Sequence, residues 1–447
     1  MRQELYNSIG LYRPSFFHIH LERDEDFSDY KNLEDIPAAA YLHEYIHFLQ
    51  DVTTNSGFIN IYNVSQYIQY CAESIGKSTS KRFKIPIKPH YTFPIVNPMD
   101  VVWYNIDHQS KYFGGILPAG VALKSFVGIV PQTIQFPQKN GFFINTLQFE
   151  LKFNDQFDNT HNMLFGSLAI SEGMAWEIET YIYGNALGSA QLYPYHSVHL
   201  VLQELFPELL DDPLIIVSLC DASLFDFNPG RLFVYLVNIL KDTGKKSFEP
   251  HEVYDVLNKF SFNVDGATNY NSLLDTMADR AITSIKDYFT TNLFKDTSQW
   301  VQHNIKEAVK LRKKNPLFII ELMKSGKISN NRGFDKIYNA IGSPFVTNRS
   351  DEAFFSSVLN HQLQIFPEYL FAINQFYKLF YSKPNGNPAC QLKKWCKVSC
   401  HSKGIVDFTD IRCDEKPWVR ALDADPNLCT YGRMWKTWGL SNKSPII

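Results

Sequence analysis

The sequence predicts an α+β fold that is predominantly helical and carries a small sheet. Hydrophobic residues make up 45% of the chain and charged residues 20%, which allows a large buried core. Apolar residues recur at helical spacing from about residue 38 to 75 and again from about 161 to 382. Between them, repeated prolines and alternating apolar residues favour short strands. We therefore expect a part with a small sheet, a large helical region and a loop-rich tail.

The length of 447 residues predicts two to three domains, at about 150 residues each. We place the first at 1–190, containing the small sheet, and the second, a helical domain, at 191–385. A C-terminal segment, 386–447, is rich in loops and holds five of the seven cysteines.

The first elements are a strand and two helices. The run 16–21 is aromatic and β-branched, which is typical of a strand. Pro37 and Gly57 flank an apolar-periodic segment at 38–52, and such residues mark the start and end of a helix. A second helix is expected at 59–75.

Strands and a further series of helices should follow. We expect strands at 125–130, 133–136 and 142–153, with a hairpin turn at 138–141. Later helices are expected, among other places, at 161–183, 251–260, 271–289, 300–313 and 354–381.

The segment from His43 to His47 reads His-Glu-x-x-His inside the first predicted helix. Residues four apart lie one turn apart on the same helix face, so both imidazoles can reach one metal ion. Glu44 can then reach a water bound to that ion. Zinc lowers the pKa of such a water to about 7, and the pattern is the signature of zinc metalloproteases.

A catalytic zinc site normally has a third protein ligand. A His placed six residues after the second is excluded, because Thr53 occupies that position. The other known solution is a Glu on a downstream helix, and Glu172, in the sequence Glu-Gly-Met-Ala, suits it. Glu179 lies on nearly the same face and is the competing third ligand, or a hydrogen-bond partner of a ligand histidine.

With these two motifs the chain resembles the gluzincins, the group of zinc peptidases that includes thermolysin-like enzymes. The resemblance covers about the first 190 residues and implies a zincin-like catalytic domain there. It implies His43, His47 and Glu172 as ligands of a catalytic Zn²⁺ and Glu44 as the general base. Asp51 matches an acidic position of thermolysin-like enzymes. The chain departs from the group in its spacing, since 124 residues, 48–171, separate His47 from Glu172.

Two further features of such an enzyme stay open in the sequence. An oxyanion-stabilising side chain could come from any of several residues, and no spacing rule selects one. An edge strand that binds an extended peptide could be 16–21 or 142–153. The oxyanion candidates are Tyr181, Tyr183, His161, His196 and His199. A di-iron site is disfavoured because it needs a second Glu-x-x-His, which the sequence lacks.

The clustered cysteines of the C-terminal segment indicate a second metal site. In a reducing compartment, clustered cysteines favour metal binding over disulfides. Four thiolates would form a structural Zn²⁺ site or hold an iron–sulfur cluster, and the remaining interpretation is unligated buried thiols. The cysteines concerned are Cys390, Cys396, Cys400, Cys413 and Cys429.

The function predicted is that of a cytoplasmic zinc metallopeptidase, a gluzincin-like endopeptidase acting on an intracellular protein or peptide. The net charge of −3 does not indicate a nucleic-acid-binding surface. The sequence has no apolar run long enough to indicate a membrane partner. The helical region is larger than the chemistry needs, which favours a regulatory or defence-linked protease with a regulatory protein partner. The alternatives are a non-catalytic zincin-like interaction module and a metal-dependent hydrolase of a non-peptide amide.

Overall fold

The computed structural model describes residues 9–87, 95, 98–115, 117–118, 120–137, 142–260, 266–289, 291–359, 363–382, 388–402, 407, 409–424 and 428–446. The fold is α+β and predominantly helical, as predicted. The strands are β1 Gly10–Arg13, β2 His18–Leu21, β3 Arg82–Lys84, β4 Leu123–Pro137, β5 Phe143–Asp155, β6 Thr160–Leu164, β7 Phe345–Thr347, β8 Ala353–Phe354 and β9 Ser444–Ile446.

The helices are α1 Asp35–Thr53, α2 Asn55–Lys77, α3 Pro98–Phe113, α4 Ser167–Tyr183, α5 Ser197–Leu205, α6 Pro213–Ser223, α7 Pro229–Asp242, α8 Pro250–Asn258, α9 Tyr270–Lys286, α10 Lys295–Lys314, α11 Phe318–Lys324, α12 Arg332–Ile341, α13 Glu368–Tyr381, α14 Lys393–Ser402, α15 Arg412–Glu415 and α16 Thr430–Thr437. Most of the helices follow one another in a series, α4 to α12, between β6 and β7. Within the described residues, no helix is both long enough and apolar enough to cross a membrane.

Helix α1 is the centre of the core. Every residue from Pro37 to Thr53 is buried, so α1 is covered on all faces. Its end differs from the predicted punctuation, because α2 begins at once and Gly57 lies in its first turn. A Cβ on Gly57 would lie 2.4 Å from the Asp51 Cα, which explains why a glycine suits this close helix junction.

The first sheet has the order β1-β2-β7-β8, in which β2 pairs antiparallel with β1 and parallel with β7. It joins the start of the chain to residues 345–347. The hydroxyl of Tyr45 on α1 also donates to the Gly342 carbonyl at 2.7 Å. These contacts cross the predicted boundary at residue 190, and the division into three domains stays a prediction.

The second sheet is an antiparallel ribbon with the order β4-β5-β6. The predicted strands 125–130 and 133–136 are one strand, β4, which pairs with β5 from Leu123↔Asp155 to Pro137↔Phe143. The predicted turn at 138–141 lies outside the described residues.

Two predicted helices are wrong in part. The helix predicted at 161–183 begins only at Ser167, because His161 belongs to β6 and Gly166 caps the helix. The helix predicted at 354–381 begins only at Glu368, and Phe354 lies in β8. In both segments apolar residues continue at the expected spacing, but strand pairing precedes the helix.

Candidate metal centre

Three predicted ligand side chains meet between α1 and α4. The Oε2 atom of Glu172 lies 3.3 Å from Nε2 of His43 and 3.2 Å from Nε2 of His47. All three residues are buried, and their ligand atoms lie within 4.8 Å of one another. Ligand atoms that bind a tetrahedral zinc at about 2.0–2.1 Å lie about 3.3 Å apart. The spacing and the donor set therefore fit a zinc ion.

Each histidine also has a partner on its other ring nitrogen. Nδ1 of His43 lies 3.0 Å from Oε2 of Glu179, and Nδ1 of His47 lies 2.8 Å from Oε1 of Gln50. With Nδ1 of each ring directed at its own partner, both Nε2 atoms face Glu172 and are the atoms that could bind a metal ion. Glu172 thus faces both Nε2 atoms, whereas Glu179 contacts the opposite side of His43.

The cluster attracts positive charge. Burial lowers the pKa of His43, but the hydrogen bonds to Glu172 and Glu179 outweigh it, and with the nearby Glu44 carboxylate they raise this pKa to about 10. The two carboxylates would favour a metal cation in the same way that they favour a proton.

Glu44 opens onto the same space as His43. A cavity of about 320 Å³ lies beside the cluster, and both residues line it together with Glu179 and Tyr195. The ring of Tyr195 lies 6.0 Å from that of His43. The remaining walls are Ile9, Gly10, Ala40, Trp176, Leu187, Gly188, Ser189, Ala190 and Gln191.

Strand β1 forms one wall of this cavity through Gly10. Asp51, one turn beyond His47, holds the turn that follows β1: its Oδ2 accepts from the Tyr12 hydroxyl at 2.9 Å and from the Ser15 amide at 2.7 Å. Ser15 has a φ of 69°, an unusual value for a residue with a side chain, and the Asp51 contact stabilises it. Asp51 therefore fixes β1 against α1.

Neither strand predicted to bind an extended peptide offers an edge at the cavity. β2 lies between β1 and β7. β5 pairs with β6 only along 150–154, and none of its residues lines the cavity. The edge strand beside the cavity is β1. The prediction of an edge at 16–21 was wrong because the pairing of β2 with β7 joins segments more than three hundred residues apart, which a local pattern cannot reveal.

None of the five predicted oxyanion candidates is among the residues that line the cavity. Tyr181 is 45% exposed, the Tyr183 hydroxyl accepts from the Ile328 amide, and His161 lies 2.9 Å from Asp155 in the ribbon. His196 and His199 pack against Trp176. Tyr195, which the sequence reasoning missed, lines the cavity beside His43.

The five cysteines of the tail are free and buried. Cys396 and Cys400 lie one turn apart on α14. Burial and the neighbouring thiols raise the pKa of Cys396. Within the described part of the chain, no three of these sulfurs come as close together as the ligand atoms of the histidine cluster. The structure therefore gives the second metal no preformed site, and it stays a prediction.

The fold and the site define a predominantly helical α+β protein with a buried His-His-Glu cluster. Comparisons with protein-family models, curated proteins and solved structures find no match to this chain.

Proposed function

We propose that the chain is a zinc-dependent metallopeptidase, a gluzincin-like endopeptidase that cleaves an intracellular protein or peptide in the cytoplasm. One observation carries this proposal: Glu172 lies within 3.3 Å of both Nε2 atoms, and Glu44 lines the cavity beside them. His43, His47 and Glu172 would hold the ion. When bound, zinc would polarise the scissile carbonyl and bring the pKa of a water to about 7.

The residues of the chain would perform the proton transfers. Glu44 takes a proton from the attacking water and returns it to the leaving amine, a task that suits a carboxylate at the cavity wall. Tyr195 donates a hydrogen bond to the developing oxyanion. The edge of β1 binds the substrate backbone in an extended form, which supports a peptide substrate.

The large helical region supports a regulatory or defence-linked role. It contributes only Gln191 and Tyr195, at its start, to the residues that line the cavity, and its helices α5 to α13 contribute none of them. It is therefore available to bind a regulatory partner.

A hydrolase of a non-peptide amide is the second candidate. The cavity volume of about 320 Å³ lies within the range of small-molecule sites, about 300–1,000 Å³. A non-catalytic module is less well supported, because a purely structural site does not need a carboxylate such as Glu44 at an open cavity.

The test is metal analysis of the wild type and Glu44→Gln, combined with cleavage of proteins in a cell lysate and of small amides. We expect both proteins to contain zinc and only the wild type to cleave protein. Glu73→Gln, on the exposed face of α2, is the matched control. Equal cleavage by Glu44→Gln would remove Glu44 as the base, and a wild type without bound metal would overturn the proposal.

A further inference from the structure

We propose that Gln50 is a positioning residue, which fixes the tautomer and orientation of His47 and ties it to the backbone beside Glu172. The inference rests on the proposed metal site. Gln50 is buried on α1, three residues after His47. Its Oε1 lies 2.8 Å from Nδ1 of His47, and its Nε2 donates to the Ser171 carbonyl of α4 at 3.0 Å.

The polarity of the Gln50 amide determines the proton position on His47. A backbone carbonyl can only accept, so the NH₂ group of Gln50 must face Ser171. The Oε1 atom then faces His47 and can only accept, so Nδ1 of His47 must carry the proton. In the neutral ring Nε2 then carries the lone pair and faces Glu172, which is the form of imidazole that binds a metal ion.

The same side chain sets the distance between two ligand helices. Ser171 immediately precedes Glu172, so one amide connects the second ligand with the backbone next to the third. The two histidines also have different partners, a carboxylate for His43 and a neutral amide for His47. Gln50 therefore fixes the orientation of His47 without adding another negative charge to a cluster that already contains several carboxylates.

A purely structural role for Gln50, as a contact between helices, is the competing interpretation. Gln69 provides the matched control, because its Nε2 donates to the Ser284 carbonyl at 2.5 Å and joins α2 to α9. Gln69→Leu breaks the same kind of bond between two helices that carry none of the cluster residues. Gln50→Leu removes both contacts, whereas Gln50→Glu keeps an acceptor for His47.

The experiment measures the Zn²⁺ dissociation constant of each full-length protein by competition with a chelator, and the visible absorption of the Co²⁺-loaded forms. We expect Gln50→Leu to weaken Zn²⁺ binding about 10–100-fold and to change the Co²⁺ spectrum. Gln50→Glu should recover most of the affinity, and Gln69→Leu should match the wild type. Gln50→Met, unbranched and of similar length, repeats the test if Leu disturbs folding.

The outcomes separate the two proposals. Wild-type affinity and an unchanged spectrum in Gln50→Leu or Gln50→Met would overturn the positioning role and leave the metallopeptidase proposal intact. Equal losses in Gln69→Leu and Gln50→Leu would also overturn it, since helix contact alone would then explain the effect. A wild type that binds no Zn²⁺ would overturn the metal site itself.

Discussion

Gly10 lies directly against Glu44: a Cβ built on Gly10 would stand 2.7 Å from Cγ and 2.8 Å from Oε1 of that carboxylate. The proposed base is therefore held between its own helix and the edge strand that faces the cavity. A glycine is needed here for its small size.

Gly10→Ala should displace the Glu44 carboxylate and lower kcat by about 100-fold, the usual effect of misplacing a catalytic group by about 1 Å. Bound zinc should be unchanged, because the substituted strand does not hold the three ligands. Steady-state kinetics and metal analysis check this. Gly76→Ala, whose Cβ would meet its nearest neighbour only at 3.9 Å, is the control. Full activity in Gly10→Ala would contradict the proposed contact.

Glu172→Gln should weaken Zn²⁺ binding more than Glu179→Gln. Glu172 faces both Nε2 atoms, whereas Glu179 only contacts Nδ1 of His43. We expect the Glu179 variant to lose about 10–100-fold in affinity and the Glu172 variant more than that. Chelator competition measures both. The reverse order would make Glu179 the third ligand.

Tyr195→Phe should lower kcat by about 100-fold while leaving zinc content and KM close to wild type, as expected for the loss of one oxyanion donor. The ring stays in place, so the cavity wall is preserved. Tyr183→Phe is the control, because Tyr183 does not line the cavity and its hydroxyl accepts instead from the Ile328 amide. Steady-state kinetics of the two variants test this role, and equal kcat values would exclude Tyr195 as the oxyanion donor.

Arg312→Leu should destabilise the protein by about 3–5 kcal/mol, because it leaves the Asp221 carboxylate buried without its partner. The two side chains form a paired contact at 2.6 and 2.8 Å, and Arg312 also donates to the Thr53 hydroxyl at the end of α1. Denaturant unfolding measures the loss. The double variant Arg312→Leu, Asp221→Leu should recover part of it, and a double variant as unstable as the single one would contradict this account.

Glu177→Gln should become stabilising as pH rises. Burial raises the pKa of Glu177 from 4.5 to about 7, so the folded protein loses stability as pH rises from about 4.5 to about 7. At about 1.4 kcal/mol per pKa unit, the charged form costs on the order of 3 kcal/mol. Unfolding at about pH 5 and pH 8 should show a gain for Glu177→Gln only at the higher value. A gain independent of pH would exclude this carboxyl as the cause.

Local sequence patterns predicted much of the candidate site. The spacing of His43 and His47 within one helix placed both imidazoles on the same face, and the Glu-Gly-Met-Ala sequence at Glu172 indicated the residue that meets them. The prediction of the two histidines depends on spacing within one helix, and the prediction of Glu172 depends on a short motif. The predicted ribbon strands rest likewise on alternation along the chain.

Contacts between distant segments could not be predicted in this way. Gly10 against Glu44, Gln50 against Ser171 and Tyr195 beside His43 depend on how elements pack. Gln50 alone had a local signal, since it lies one turn after His47. His161 was assigned to a helix because pairing with Phe153 in the ribbon leaves no mark in helical spacing.

The parallel pairing of β2 with β7 has a consequence for synthesis of the chain. The helix that carries His43 and His47, and Glu172 itself, have been synthesised by residue 172, but residues 345–347, which complete the sheet behind β1, follow much later. The sheet that supports β1, and with it the Gly10 wall of the cavity, is therefore complete only when about three quarters of the polypeptide has been translated. A nascent chain would contain all three residues of the His-His-Glu cluster long before that support is in place.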